Sequence, residues 1–282
     1  MKKSIASRWW PRQLRIALCP DKVVVTALER GWRLRVLDKR IVEVSGEATG
    51  RPWEAALAAL AEALPESATS NTAATIVLSN HFVRYAIVPW RDNVTGATEQ
   101  LALARHCFRN IHGDAASGWD IKVSDGGFRR NALASAIDRE LLDGLDRLFS
   151  ERKIALSSLQ PYFMTACNRF RRELASHRSG CIAVLERGRA ALGIFDRAGW
   201  QALAVRRIGD VSMDTLIPVL AQELQSANLA ELPEHLFIAA VEDPRMDFAS
   251  GNWSTHALKL KAQLGFSPLD DARYAMALCG AA

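Results

Sequence analysis

The sequence predicts an α/β protein made of two similarly ordered halves, and three observations carry that reading. Between residues 14 and 44 three strand patterns follow one another with only tight turns between them, the mark of an antiparallel meander. Amphipathic helix patterns and further strand patterns then alternate as far as Arg178. At Ser179–Gly180 the order restarts with three strands, a helix and a buried strand.

In the first half, residues 14–19 (LRIALC), 22–29 (KVVVTALE) and 32–44 (WRLRVLDKRIVEV) are the meander, turning at Pro20–Asp21 and Arg30–Gly31. The third strand alternates apolar with charged residues, so one face is expected to meet solvent. Residues 52–64 read as a helix with proline in its first turn. A polar loop leads to TIVLSNHFVRYAIVPW, residues 75–90: a strand at 75–78, a turn at Ser79–Asn80–His81, and a second strand at 82–88. Pro89 ends the run because it cannot donate to a sheet ladder. A helix follows to Ile111, then strands at 119–124 and 131–137 around a Gly126–Gly127 turn. Asp138 is a good N-cap for a helix carrying Leu141, Leu142, Leu145 and Leu148 on one face. Residues 154–160 read as a strand, and 161–176 as one long helix with a basic end.

The second half repeats the scheme at residues 181–185, 190–196 and 201–207, with turns at Arg187–Gly188 and Ala198–Gly199. A helix is expected at 212–226, a buried strand at 235–241, a short strand at 256–260, and a closing alanine-rich helix at 269–279.

Composition narrows the function. With 49% apolar and 24% charged residues, the chain belongs with soluble globular proteins, and no apolar run reaches the length of a spanning helix. The start, MKKSIASRWWPRQLR, lacks the apolar core of a secretory signal. Five scattered cysteines without a CxxC pair point to reduced thiols, so a cytoplasmic location is expected. The net charge of +5 comes from the first fifteen residues; the remainder balances at 31 basic against 31 acidic residues. A neutral body argues against a dedicated nucleic-acid binder. Lys2, Lys3, Arg8, Trp9, Trp10 and Arg12 make a basic, tryptophan-bearing tail suited to a partner or to an anionic inner-membrane surface; a solvated terminus is the plainer reading.

Catalytic frameworks are missing. Gly188 and Gly193 lack the lysine and hydroxyl of a P-loop, and Ser79 with His81 is a turn rather than a nucleophile and base. His106 and His112 fall on opposite sides of their helix, so with Cys107 and Asp114 they are not expected to converge on a metal. No catalytic residue, metal or cofactor is predicted.

The duplicated order of meander, helix and strand resembles the actin-like ATPase superfamily, in which two ribonuclease-H-like lobes carry a small subdomain inserted in the first. Within it the chain looks most like the PilM branch, with PilM, MshI and the GspL cytoplasmic domain. VLSNHFVRYAIVPW is similar to the passage leading into that subdomain. The helix–strand–helix order from Asp138 to Arg178 is similar to the end of the first lobe, and SPLDDARYAMALCGAA resembles the closing helix. The resemblance implies a tail at residues 1–13, a first lobe at 14–178 with its insertion at about 82–125, and a second lobe at 179–282.

It also implies where a nucleotide would sit, and there the sequence departs from the pattern. The first phosphate turn reads Leu18–Cys19–Pro20–Asp21–Lys22, without glycine or hydroxyl. The second reads Glu186–Arg187–Gly188–Arg189–Ala190, and the adenosine-side glycines are replaced by Ala239–Ala240–Val241–Glu242. Asp21, Glu186, Gly188 and Glu242 thus mark a vestigial cleft or are ordinary turn residues. The resemblance further implies a groove for the cytoplasmic tail of an inner-membrane partner, to which Phe82, Tyr85, Trp90 and Arg91 are assigned as aromatic and arginine anchors; core packing is the competing role for the aromatics. The expectation is a non-catalytic scaffold of a type IV pilus or type II secretion assembly platform. Its partner would be a PilN-like bitopic protein or the secretion motor ATPase. The alternative is a switch whose partner binding depends on ATP.

Overall fold

The computed structural model of the protein describes residues 12–30, 34–44, 51–68, 70–94, 96–124, 126–227, 229, 232–240, 242, 243, 248, 253–261, 263, 265–267 and 269–280. The tail residues Lys2, Lys3, Arg8, Trp9 and Trp10 therefore lie outside it, as do Trp32 and Val241.

In chain order the elements are β1 (Arg12–Leu18), β2 (Lys22–Arg30), β3 (Leu34–Glu43), α1 (Glu54–Ala63), β4 (Thr72–Leu78), β5 (Val83–Val88) and α2 (Ala97–His112). Then come β6 (Trp119–Val123), β7 (Ala132–Asp138), α3 (Arg139–Glu151), β8 (Ala155–Pro161), α4 (Tyr162–Arg169) and α5 (Arg171–Ala175). The last are β9 (Gly180–Glu186), β10 (Arg189–Asp196), β11 (Gly199–Arg207), α6 (Met213–Ala227), β12 (His235–Ala239), β13 (Ser254–Ala257) and α7 (Ala275–Cys279).

Two five-stranded sheets have the same construction. One runs β3-β2-β1-β4-β8 and the other β11-β10-β9-β12-β13. In each, the three-strand meander is antiparallel, while the next two strands lie parallel beside its first strand. This duplicated order is the repeat that the sequence predicts.

Contacts divide the chain into two compact units: Met1–Phe82 with Glu140–Thr165 and Leu260–Ala282, and Val83–Arg139 with Ala166–Lys259. The first unit holds the β1 sheet. β4 is buried along nearly its whole length because β1 and β8 flank it, which explains its continuous apolar run. Where β4 and β8 slip register at Ala74/Thr75, the Ser157 hydroxyl donates to the Ala74 carbonyl at 2.7 Å. α1 and α3 meet at Gly144, where a Cβ would come within 2.6 Å of Leu57 Cδ2. α7 lies on the same sheet: Gly280 abuts Val77 and Thr75, and Leu278 joins Leu28 and Phe266 in one apolar cluster. The closing segment thus packs on the first sheet, although the sequence reading gives residues 179–282 to the second lobe.

The second unit holds the β9 sheet and a three-stranded antiparallel sheet, β5-β7-β6. α6 packs Leu216, Leu220 and Leu224 on the former; its start is capped by Ser212, whose hydroxyl accepts from Thr215 N at 3.3 Å. Glu223, buried on that face, is paired with Arg206 at 2.6 Å. α2 buries Ala104 and Phe108 against Ala86, Ile121 and Ala134 of the smaller sheet. Of the segment expected as an insertion in the first lobe at about 82–125, Phe82 belongs to the first unit and residues 83–125 to this one. Asn131 bridges to Gly199 at the start of β11, and its side-chain amide donates to the Trp200 carbonyl at 2.9 Å.

Two further differences from the sequence reading have causes visible in the packing. β4 and β5, read as successive strands around one turn, belong to different sheets. Their linking turn is buried: Ser79 N donates to the Leu18 carbonyl at 3.0 Å, and Asn80 Oδ1 accepts from Phe163 N at 3.1 Å, capping α4. The expected long helix at 161–176 is split at Phe170, whose buried ring anchors the break between α4 and α5.

Candidate functional site

The turns that face the phosphates in an actin-like fold are closed here by their own chain. At the first, Cys19 N donates to the Lys22 carbonyl at 3.0 Å, and Pro20 has no N–H to offer. The Asp21 carbonyl accepts from Val44 N at 2.8 Å, and the buried Cys19 thiol donates to Met276 Sδ on α7 at 3.5 Å. At the second, Glu186 and Arg189 pair across a two-residue link in which Gly188 takes φ 74°, a left-handed position suited to glycine. The Gly188 carbonyl accepts from Ile208 N at 3.2 Å. Arg189 stands opposite Arg207 in the β10–β11 ladder. Burial first, then Arg207 and Arg84, lower its affinity for its proton, and Glu186 opposes them. Glu242 is half-buried just beyond β12. A magnesium–triphosphate needs free amides, a hydroxyl and an ordered carboxylate at such turns. Asp21 and Glu186 keep the carboxylates, but neither turn carries a hydroxyl, and at the first one amide is engaged and another is lost to Pro20.

The four residues assigned to a groove separate by burial. Phe82 and Tyr85 are interior, at 6% and 8% exposure, whereas Trp90 is half-buried and Arg91 exposed. Trp90 instead meets Phe128, edge to face at 5.4 Å between ring centres. Phe128 sits in the β6–β7 turn with 77% of its surface exposed, and Arg129 lies over its ring at 5.4 Å. The turn is pinned. Gly126 has no room for a Cβ, which would fall 2.7 Å from the Asn131 carbonyl oxygen, and Gly127 takes φ 80°. The Trp90 indole donates to Asp92 at 3.2 Å. Trp90, Phe128 and Arg129 thus make one aromatic, cationic patch, and exposed Arg91 follows Trp90 in the chain. Phe128 has a signal in the sequence, an aromatic beside two arginines at the tip of a Gly-Gly turn, but the sequence reading passes over it.

Arg12, expected in the tail, is the first residue of β1, and its guanidinium donates to the Ser67 carbonyl at 3.2 Å. It lines a cleft of about 590 Å³ with Arg40, Asp38, Glu62 and Glu66.

His106 is exposed and bonds Asn110, while His112 packs against Trp119, so these two do not converge. A different trio does. His177, His235 and His256 bring their ring nitrogens within 4.8 Å of one another. His235 Nδ1 and His256 Nε2 are 3.1 Å apart, and the His256 ring stacks on buried Phe237 at 4.8 Å. Burial first, then the neighbouring His177 and His235, hold the His256 proton affinity below its ordinary value, favouring the neutral ring.

No family model matches the chain, and no curated protein matches its sequence. The two like-ordered sheets are those of the actin-like ATPase fold, and solved structures agree. The chain is similar to a PilM–PilN type IV pilus biogenesis complex, with 12% identity over 95% of this chain and 96% of that one, TM-score 0.60. It is also similar to the cytoplasmic domain of EpsL, an inner-membrane component of the type II secretion system of Vibrio cholerae, with 14% identity over 89% and 90%, TM-score 0.55. A Bacteroides thetaiotaomicron protein with an actin-like ATPase fold shares 12% identity over 84% and 85%, TM-score 0.54. At these identities the likeness is one of fold. Among the described residues no helix is long and apolar enough to cross a membrane.

Proposed function

We propose that the protein is a non-catalytic, actin-like scaffold of a type IV pilus or type II secretion assembly platform at the inner membrane. Its role is to take the cytoplasmic tail of a PilN-like bitopic protein; the secretion motor ATPase is a second candidate partner. The observation that carries this reading is the patch in which half-buried Trp90 meets exposed Phe128 and Arg129 of the β6–β7 turn, with exposed Arg91 next to Trp90 in the chain. The closed phosphate turns support recognition rather than nucleotide chemistry, and the fold shared with PilM and EpsL supports the class of assembly. The basic tail would hold the body near anionic lipid, each cation contributing about 1 kcal/mol at the surface.

Titrating a synthetic cytoplasmic tail of a bitopic assembly protein into wild type and into the W90A/F128A variant tests the assignment. Loss of two anchors should cost about 2 kcal/mol or more, roughly thirtyfold in affinity, with the fold intact by circular dichroism. Unchanged affinity would move the groove elsewhere. Liposome sedimentation with and without residues 1–15 tests the tail, and equal pelleting would remove its membrane role.

A further inference from the structure

Three histidines from separate stretches of the second unit meet where nothing in the proposed scaffold role requires them. His177 lies in the segment before β9, His235 opens β12, and His256 is on β13, the edge strand paired to β12. Each is half-buried, so the rings are ordered by packing yet remain open to small solutes. Phe237 supports all three, contacting His177, His235 and His256 at ring separations of 5.2, 6.4 and 4.8 Å. Room for that support comes from Gly180, where a Cβ would fall 2.8 Å from Phe237 and 3.0 Å from Phe195.

The nitrogen geometry is that of a ligand set. Two imidazole nitrogens bound at about 2.0–2.1 Å in a tetrahedral site stand roughly 3.3 Å apart. His235 Nδ1 and His256 Nε2 already stand at 3.1 Å, and the third nitrogen is within 4.8 Å. The longest separation among the three thus exceeds the tetrahedral value by at most about 1.5 Å. The Ser176 hydroxyl lies 2.9 Å from His177 Nδ1, an outer partner that would leave Nε2 as the ligand atom.

We propose that His177, His235 and His256 bind one divalent first-row transition-metal ion, zinc foremost, through three imidazoles with a fourth position left to water. An all-imidazole set selects zinc, nickel or copper over magnesium and calcium, which prefer oxygen. The bound ion ties the edge strand β13 to β12 and to the start of β9, so it acts first as a clasp on that sheet edge.

The test uses the full chain stripped of metal with chelator. Zinc chloride titrated calorimetrically should bind one ion per chain and raise the unfolding midpoint. Cobalt(II) should give the intense visible bands of a tetrahedral nitrogen site without a thiolate charge-transfer band. Affinity for zinc should fall at least about tenfold in H256Q and in H177Q, since losing even a ligand's outer partner costs about 10–100-fold. Zinc binding that is equal in wild type, H256Q and H177Q would overturn the site. So would a weak octahedral cobalt spectrum, or one carrying a thiolate band, in the unaltered protein, a result that does not depend on any variant folding.

Discussion

Asn131 holds Trp90 in position: its side-chain oxygen accepts from the Trp90 N–H at 3.2 Å, while its amide donates to the Trp200 carbonyl at 2.9 Å. One side chain thus joins the chain leaving β5 to the start of β11. Replacing it strands two partly buried backbone groups, each a cost of about 1–3 kcal/mol when no new partner is found. Asn131→Ala should lower the denaturation midpoint in urea accordingly and speed exchange of the Trp90 amide hydrogen. A midpoint unchanged from wild type would mean that water replaces both bonds.

The β6–β7 turn depends on Gly126 for space. In Gly126→Ala the new carbon would fall 2.7 Å from the Asn131 carbonyl oxygen, so backbone must move. Overpacking of this kind costs about 1–3 kcal/mol. The variant should melt lower and should lose the Trp90–Phe128 contact, read as a shift in tryptophan fluorescence.

Acid should loosen the closing segment. Lys39 bonds both carboxylate oxygens of Asp271 at 2.8 Å and lies over the Phe266 ring at 4.4 Å. The Lys39 hydrogen bonds hold the Asp271 carboxyl below the usual carboxylate range; burial opposes them, and Ser267 N–H adds to them. With the folded value below the unfolded one, the clasp contributes fully above about pH 4 and is lost as pH falls through the folded value. Wild type should therefore melt above D271N at about pH 6, with the gap narrowing toward pH 3. A gap constant over that range would contradict the pairing.

Thiol chemistry follows burial. Burial pushes the Cys181 thiol up to about 12 and raises Cys167 further, whereas half-buried Cys107 is raised less far by the same cause. Less thiolate means slower alkylation. Iodoacetamide at about pH 8 should label Cys107 first in the native protein, with Cys19, Cys167, Cys181 and Cys279 labelled only on unfolding. Early labelling of Cys181 would mean that the β9 sheet opens locally.

The fold was readable wherever the signal is local. Tight turns at Pro20–Asp21 and Arg187–Gly188 and alternating apolar residues mark both meanders, and their repetition marks the duplicated sheets. Long-range choices were not. Nothing near Leu78 reveals that β4 and β5 enter different sheets, because Asn80 is committed by Phe163, far along the chain. Phe82 and Tyr85 resemble interface anchors by type, yet their burial depends on packing that no spacing records. His177, His235 and His256 share no motif; only the pairing of β12 with β13 and β9 brings them together.

Calorimetric titration of a PilN-like protein's cytoplasmic tail, with and without Mg-ATP, separates a nucleotide-independent scaffold from an ATP-dependent switch. A scaffold of this kind gives one affinity under both conditions and no heat from Mg-ATP alone. Micromolar binding of Mg-ATP, with tail affinity changing alongside it, would make the protein a nucleotide switch instead.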